Sequence, residues 1–329
     1  MAVTIKDIAK RAGVSYSTVS RALNGASCVN EEKKREIERI AKEMGYVPNL
    51  AAVQLKKSRS GIIGIYVQDL KYISSTYSMY PMLNAAYEAL GCTYSIVVKA
   101  ISKHIPGSLN PALYDGIIVM DSSADQSDFC KEVNDKGIPL VLANLPINYD
   151  APRVVVNQEK AFYEVMKLII EKGHKRITIL EGEPERMATK LRHSGWMRAV
   201  RELDFPMENI DTYDCKFSYV VASEHMPQIM KNKPDAILSF NDEMAEAALI
   251  YLRHIHVCVP EQISVVGYDN WNIPMCDSLG LTNIDRGIGD IAKMSVELLK
   301  QMIEGKKVKN DLYYIEGKLV DRGSLGTRV

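Results

Sequence analysis

Val14-Ser15-Tyr16-Ser17-Thr18-Val19-Ser20-Arg21, preceded by Thr4-Ile5-Lys6-Asp7-Ile8-Ala9-Lys10-Arg11-Ala12-Gly13 and followed by Ala22-Leu23-Asn24, decides how the amino-terminal part of the chain is read. The spacing predicts two short helices joined by a tight turn. The first runs from about Ile5 to Ala12, with Thr4 as its N-cap and Asp7 three residues on, a capping-box pair. Gly13 stands where the turn needs a residue tolerant of positive φ. Ser15 caps the second helix. Ile5, Ile8, Ala9, Ala12, Val14, Val19 and Leu23 form a shared apolar seam, which leaves Tyr16, Ser17, Ser20 and Arg21 facing out. That is a helix-turn-helix with an outer face suited to a major groove.

An apolar seam and a turn glycine also occur in helical hairpins that bind nothing, so the neighbourhood has to decide. A third helix follows: Asn30 suits an N-cap, Glu31 and Glu32 favour the positive end of a helix dipole, and Ile37, Ile40, Ala41 and Met44 repeat at helical spacing before Gly45. Charge is uneven. The whole chain is neutral, with 41 basic and 41 acidic residues, yet residues 1–60 hold twelve Lys/Arg against six Asp/Glu. A basic head on an acidic body is what phosphate binding by the head would need. The segment 48–61, from Pro48-Asn49 to Lys56-Lys57-Ser58-Arg59-Ser60-Gly61, starts like a helix and ends as a basic linker. It is too short to be a stable helix alone, and reads as a piece that orders when held.

Beyond Gly61, apolar runs at 62–67, 93–98, 116–120, 140–143, 153–156, 176–180, 236–239 and 264–268 read as strands. Helical patterns at 81–90, 158–172, 194–203, 243–254 and 288–305 separate many of them. Such alternation implies parallel sheets with helices on both faces, whose ligands sit beyond the carboxyl ends of the strands. No run approaches a membrane span, and the basic start lacks the apolar stretch of a signal peptide, which makes a cytoplasmic protein the expectation. The six cysteines (28, 92, 130, 215, 258 and 276) form no close pair, and the six histidines show no ligand spacing. No phosphate loop, Gly-x-Ser-x-Gly elbow or Cys/His dyad is present, so neither an enzyme nor a resident metal or cofactor is expected.

The order Thr-Ile-Lys-Asp-Ile-Ala (4–9), Gly-Val-Ser-x-x-Thr-Val-Ser-Arg (13–21), Leu-Asn-Gly (23–25) and Gly-Tyr-x-Pro-Asn (45–49) closely resembles the lactose/galactose repressor (LacI/GalR) family of bacterial transcription regulators. The match continues through Gly173-His174-Lys175-Arg176-Ile177, Val265-Val266-Gly267-Tyr268-Asp269 and Leu319-Val320-x-Arg322-x-Ser324. The resemblance implies an all-α helix-turn-helix headpiece at 1–47 and a hinge helix and linker at 48–60. It implies two doubly wound parallel-sheet lobes of the periplasmic-binding-protein type, the first made of 61–157 and 287–316, the second of 158–286 and 317–329. The chain would cross between lobes near Asn157, near Arg286 and Gly287, and near Glu316. One departure from the family pattern stands out: members usually carry a fuller helix where this chain has only sixteen residues between Val98 and Asp115, Pro106, Gly107 and Pro111 among them, so that crossover is expected to be shortened or irregular.

Residue by residue, the resemblance places Tyr16 and Ser17 at operator-specificity positions. Arg21 can bond guanine O6 and N7, while Thr4, Ser15, Thr18, Ser20 and Asn24 serve the phosphate backbone or its approach. Asn49, Ala52 and Leu55 fall on the hinge helix, with Leu55 as the wedge that kinks a central base step. In the cleft, Arg192 matches an arginine that forks onto ligand oxygens. Asn241 and Asp269 match residues that bond sugar hydroxyls. Asn144 stands where Asp is common, Gln68 and Asp69 would line the first lobe, and Trp271 would offer an apolar face. Simpler roles stand beside these: Asn241 and Asp242 suit a helix cap, Asp269 can satisfy turn amides, and Arg192 can pair with a local carboxylate.

The implied function is a sequence-specific repressor that binds a pseudo-palindromic duplex as a homodimer, its affinity set by a small effector, by default a sugar. A purine or nucleoside effector, or a partner protein, is the alternative within that class; a periplasmic-type solute-binding protein is the disfavoured one outside it. The chain stops soon after Ser324, which makes a dimer, not a higher assembly, the expectation.

Overall fold

The computed structural model describes residues 3–23, 30–46, 59–69, 76–120, 127–145, 148–270 and 273–328. The chain divides into two compact units, Met1–Ser60 and Gly61–Val329.

The first unit holds α1 (Ile5–Ala12), α2 (Tyr16–Leu23) and α3 (Glu31–Glu43). Ile8, Ala9, Ala12, Val19, Ala22, Ile37, Ile40 and Ala41 are buried together. Seam residues Ile5, Val14 and Leu23 pack at its margin. Asp7 accepts from both the Thr4 backbone N–H (2.8 Å) and the Thr4 hydroxyl (2.7 Å), and Gly13 closes α1 in the left-handed conformation at φ 62°. Asn30 Oδ1 accepts from the Glu32 N–H at 2.8 Å and starts α3.

The second unit is built on two six-stranded sheets. The strands are β1 (Ile62–Val67), β2 (Ser95–Ala100), β3 (Gly116–Met120), β4 (Leu140–Ala143), β5 (Arg153–Val156), β6 (Ile177–Glu181), β7 (Ile210–Asp214), β8 (Ala236–Ser239), β9 (Ser264–Asp269), β10 (Thr282–Asp285), β11 (Leu312–Ile315) and β12 (Lys318–Val320). The first sheet runs β11-β5-β4-β3-β1-β2 and the second β12-β10-β9-β8-β6-β7. All neighbours are parallel except β10 and β12. Strands covered on both faces read as unbroken apolar runs; every residue of β3, β4 and β8 is buried.

The connecting helices are α4 (Thr76–Leu90), α5 (Ser127–Asp135), α6 (Gln158–Glu171), α7 (Met187–Glu202), α8 (Tyr219–Lys231), α9 (Asp242–His254), α10 (Ile273–Leu279) and α11 (Ile288–Ile303). One face of the first sheet packs on α4 and α11, through Met82, Ala86, Ile291 and Val296. Its other face packs on α5, through Phe129, Cys130 and Val133. The second sheet shares a single core with α6 to α9. Strand order takes the chain from one sheet to the other after β5, after β10 and between β11 and β12.

Several sequence expectations need correction. The helical pattern at 81–90 is only the later part of α4, which begins at Thr76 and holds Pro81 in its interior. The helix expected from residue 194 begins at Met187, because its first two turns carry polar residues that fall outside an apolar pattern. The irregular crossover is as expected: 3₁₀ turns at Ile101–Lys103 and Pro111–Leu113 replace an α-helix between β2 and β3.

Two family-like motifs are structural in this chain. His174 is buried between the Ile169 carbonyl (Nδ1, 2.9 Å) and the Ser264 hydroxyl (Nε2, 2.8 Å). The Ser324 hydroxyl donates to the Val265 carbonyl (2.6 Å) and accepts from the Thr282 N–H (2.7 Å), tying the tail across β9 and β10.

Candidate functional site

On the head, α2 turns Tyr16 outward at 54% exposure, with Ser17 and Arg21 also exposed and Thr18 and Ser20 half-buried. Ser15 caps the helix by accepting from the Thr18 N–H at 3.1 Å. Its hydroxyl lies 2.8 Å from both the Ser17 and Thr18 hydroxyls, so one short run of oxygens lines the start of α2. Lys6, Lys10 and Arg11 on α1 are exposed as well. An exposed helix with hydroxyls at its start and a cation in its last turn can meet phosphate and base edge together. Asn24, Asn49, Ala52 and Leu55 lie outside the described residues.

In the larger unit, the candidate residues gather at the carboxyl ends of strands. Asn241 follows β8 and Asp269 ends β9. Arg192 is not itself a strand-end residue: it lies on α7 and reaches the strand ends from there. It is 4% exposed. Its Nε donates to Gln158 Oε1 at 2.8 Å, and its Nη1 donates to the Phe240 carbonyl. The guanidinium lies 4.2 Å from the Tyr268 ring centre and 5.4 Å from that of Phe217, a cation–π arrangement. Burial pushes its pKa down. Both of those bonds go to neutral oxygens, which leaves more of the fork's donors for a ligand than a local carboxylate would.

Asn241 caps α9: its Oδ1 accepts from the Met244 N–H at 3.0 Å, while its Nδ2 donates to the Phe217 carbonyl at 3.1 Å. The capping alternative is thus realised, and the same amide holds the Phe217 segment beside Arg192. Asp269 Oδ1 is 2.9 Å from Arg286 Nε, with both side chains largely buried. Asp269 has φ 132° and Asn270 φ 53°. Two consecutive non-glycine residues at positive φ hold strain, the kind concentrated where a side chain must be aimed. Next to them, Asp242 is fully buried. Burial first, and then the Asp269 charge, raises its pKa to about 7 against hydrogen bonds from Asn283, Asn270 and Cys276.

On the first sheet, Gln68 and Asp69 follow β1. The Ser102 hydroxyl donates to Asp69 Oδ2 at 3.1 Å. Asn144 follows β4 at φ 59°, its N–H bonded to the Val154 carbonyl at 2.7 Å. Trp271 lies outside the described residues. The structure therefore brings Arg192, Asn241 and Asp269 together, and sets Gln68, Asp69 and Asn144 along the carboxyl edge of the other sheet. Sequence reasoning missed Gln158, Phe217, Tyr268 and Arg286 as their supports. Only Arg286 carried a signal, directly after a strand and before Gly287. Among the described residues no group of acidic, His or Cys side chains could hold a metal ion, and no helix is long and apolar enough to cross a membrane.

Residues 4–49 match the family model described as bacterial regulatory proteins, lacI family, and residues 166–325 match that of a periplasmic binding protein-like domain. The probable HTH-type transcriptional repressor ExuR of Bacillus subtilis is 29% identical over 314 residues, 93% of each chain. A transcriptional regulator CelR–cellobiose complex superposes with a TM-score of 0.67 at 22% identity, covering 98% of this chain and 99% of the other. The lac repressor dimer bound to operator and the anti-inducer ONPF gives the same TM-score at 24% identity, covering 99% and 100%.

Proposed function

Because the chain belongs to the LacI family of bacterial regulatory proteins, we propose that it is a transcriptional repressor whose hold on operator DNA is governed by a small polyhydroxylated effector, a sugar. The observation that carries this reading is the pairing of two surfaces in one chain. A basic three-helix head exposes Tyr16, Ser17 and Arg21. A body collects a buried guanidinium with donors to spare, a strained Asp269 and a capping Asn241 at the carboxyl ends of β8 and β9.

In this reading 1–47 is the headpiece, 48–60 the hinge, 61–157 with 287–316 the first lobe and 158–286 with 317–329 the second. Two copies pair so that two α2 helices meet matched half-sites. Thr4, Ser15, Thr18, Ser20 and Asn24 contact backbone, Tyr16, Ser17 and Arg21 read bases, and Asn49, Ala52 and Leu55 form the hinge contacts. Arg192, Asn241, Asp269 and Trp271 face Gln68, Asp69 and Asn144 across the effector. The sugar reading draws support from a structural relative whose complex holds cellobiose, and from the chemistry of a fork donor beside carboxylate and amide acceptors. The work is binding rather than catalysis, in the cytoplasm, where operator DNA is. Effector and operator share one coupling energy, so each changes the other's affinity by the same factor.

The test is selection of duplexes from a random library, followed by titration of the selected operator with sugars, sugar phosphates and nucleosides present. Salt-sensitive binding that one sugar shifts, and that no longer responds in Arg192→Ala although the operator is still held, is the expected result. A nucleoside that shifts binding while every sugar fails moves the effector to the purine class. No preference for any duplex rejects the repressor reading.

A further inference from the structure

The crossover from β2 to β3 passes over β1 without an α-helix, and what it leaves behind is a second cavity. A parallel sheet is normally covered on both faces by helices. Here, among the described residues, the two 3₁₀ turns and the chain between them lie over the face beside the edge strand β2, held by Glu132 on α5. That carboxylate accepts from the Gly107 and Leu109 N–H groups, both at 3.0 Å, and faces His104 Nε2 at 2.9 Å. Burial raises its pKa, but these bonds outweigh it and hold it at about 2. Beneath the loop lies a cavity of about 410 Å³, within the range of small-molecule sites.

Its floor is aromatic. Gly64 has no side chain to fill the sheet face: a Cβ there would lie 3.0 Å from the Tyr66 ring and 3.1 Å from that of Tyr114. The two buried phenols share one hydrogen bond, Tyr66 to Tyr114 at 3.2 Å. Two hydroxyls with one bond between them leave one O–H to give. At the rim, Ile105 is 72% and Leu113 49% exposed, apolar surface open to solvent among the described residues. Lys99, which pairs with Tyr66 in the β1–β2 register, has its ammonium 5.6 Å from the Tyr114 ring centre. Lys103 stands on the same lining, and among the described residues neither lysine makes an ion pair. An apolar and aromatic floor, a spare phenol O–H and two uncompensated cations on one rim are complementary to an amphipathic anion.

We propose that this cavity is a second ligand site, separate from the cleft, for a small carboxylic acid with an aromatic body. The ring lies on Tyr114, Leu109 and Leu113, and the carboxylate takes the spare phenol hydrogen and one or both ammonium groups. Carboxylate is favoured over phosphate because the cavity offers no arginine fork, and the backbone N–H groups that could cradle a phosphate at Gly107 and Leu109 are already held by Glu132.

The experiment uses the full chain with benzoate and phenylacetate as probes, benzamide and phenylacetamide as neutral isosteres, and inorganic phosphate, read by calorimetry and thermal shift. The acids are expected to bind at least about tenfold more tightly than the amides, the difference a charge-assisted bond supplies. Lys99→Glu with Lys103→Glu should remove that preference. Leu113→Trp, at an exposed position, should fill the cavity and abolish binding while the unprobed melting temperature stays put. Arg192→Ala should bind the acids normally. The proposal is overturned if no probe binds at millimolar concentration, if the amides or phosphate bind as well as the acids, or if binding survives Leu113→Trp and disappears in Arg192→Ala, which would place it in the cleft. Operator binding is a separate readout, so failure here leaves the repressor reading standing.

Discussion

Arg286 Nε stands 2.9 Å from Asp269 Oδ1, and this ion pair joins the end of β9 to the segment where the chain returns from the second sheet to the first. The side chains are only 16% and 13% exposed, so water does little to screen either charge. Around it, Asn270 Nδ2 donates to Asp285 Oδ2 at 3.1 Å and the Gly287 N–H donates to Asp285 Oδ1 at 2.7 Å. The strained reversal at Asp269 and the passage at Gly287 are therefore held by one polar network.

Arg286→Gln should leave the largely buried Asp269 without its partner, beside the fully buried Asp242. Losing one member of a buried pair costs about 3–5 kcal/mol, whereas replacing both is often close to neutral. Urea unfolding of Arg286→Gln, Asp269→Asn and the double variant forms the check. The double variant should recover most of the loss; additive losses would show that the two residues act independently.

Arg21→Ala should cost about 1–3 kcal/mol at the selected operator and relax base preference at one position of each half-site. The measurement is equilibrium binding to the operator, to single-base variants and to random duplex. Equal losses on all three would assign Arg21 to the phosphate backbone.

Gly195→Ala tests the packing that sets Arg192 in place. A Cβ at Gly195 would come within 2.2 Å of the Glu159 carbonyl and 2.9 Å of Phe162 Cβ, because α6 and α7 meet backbone to backbone there. Overpacking of this kind costs about 1–3 kcal/mol. Thermal unfolding should show the loss, and effector affinity should fall with it, since Gln158 on α6 and Arg192 on α7 must keep their register.

His174 predicts a pH dependence. Burial lowers its pKa below the ordinary value of 6.5, and the Ser264 hydroxyl, which accepts from the Gly326 N–H at 3.0 Å, has its proton to give to Nε2. The ring is therefore neutral, with Nδ1–H donating to Ile169. Below pH 6.5 the unfolded chain binds a proton that the folded one refuses, so this contribution to stability is complete above that pH and falls as the pH drops toward the folded value. Denaturation from pH 7.5 down to 5 should show the decline, and His174→Gln should flatten it; an unchanged slope would clear His174 of the effect.

The strands whose bounds were most legible in the sequence are those walled on both faces. β3, β4 and β8 fall on their apolar runs because nothing along them meets water. β7, Ile-Asp-Thr-Tyr-Asp at an edge of the second sheet, is half exposed and carries two acids, so no run announced it. α8 was hidden by Pro227 in its interior. At the site, Arg192 and Asp269 could be named by resemblance, but their supports could not. Phe217, Tyr268 and Gln158 are ordinary core-type or helix-start residues until folding sets them around a guanidinium. Asn241 shows why a single role could not be chosen beforehand, since an amide that caps a helix still presents its other half to the neighbouring loop.

Only Glu316 and Gly317 separate β11 in one sheet from β12 in the other. The three Cα–Cα steps from Ile315 to Lys318 span at most about 11 Å, and any side chain at Gly317 would strike Ile284 at 2.8 Å. So short a tether forbids the halves of the body from sliding apart or drifting sideways. What freedom remains between the two sheets at this point is rotation about the tether.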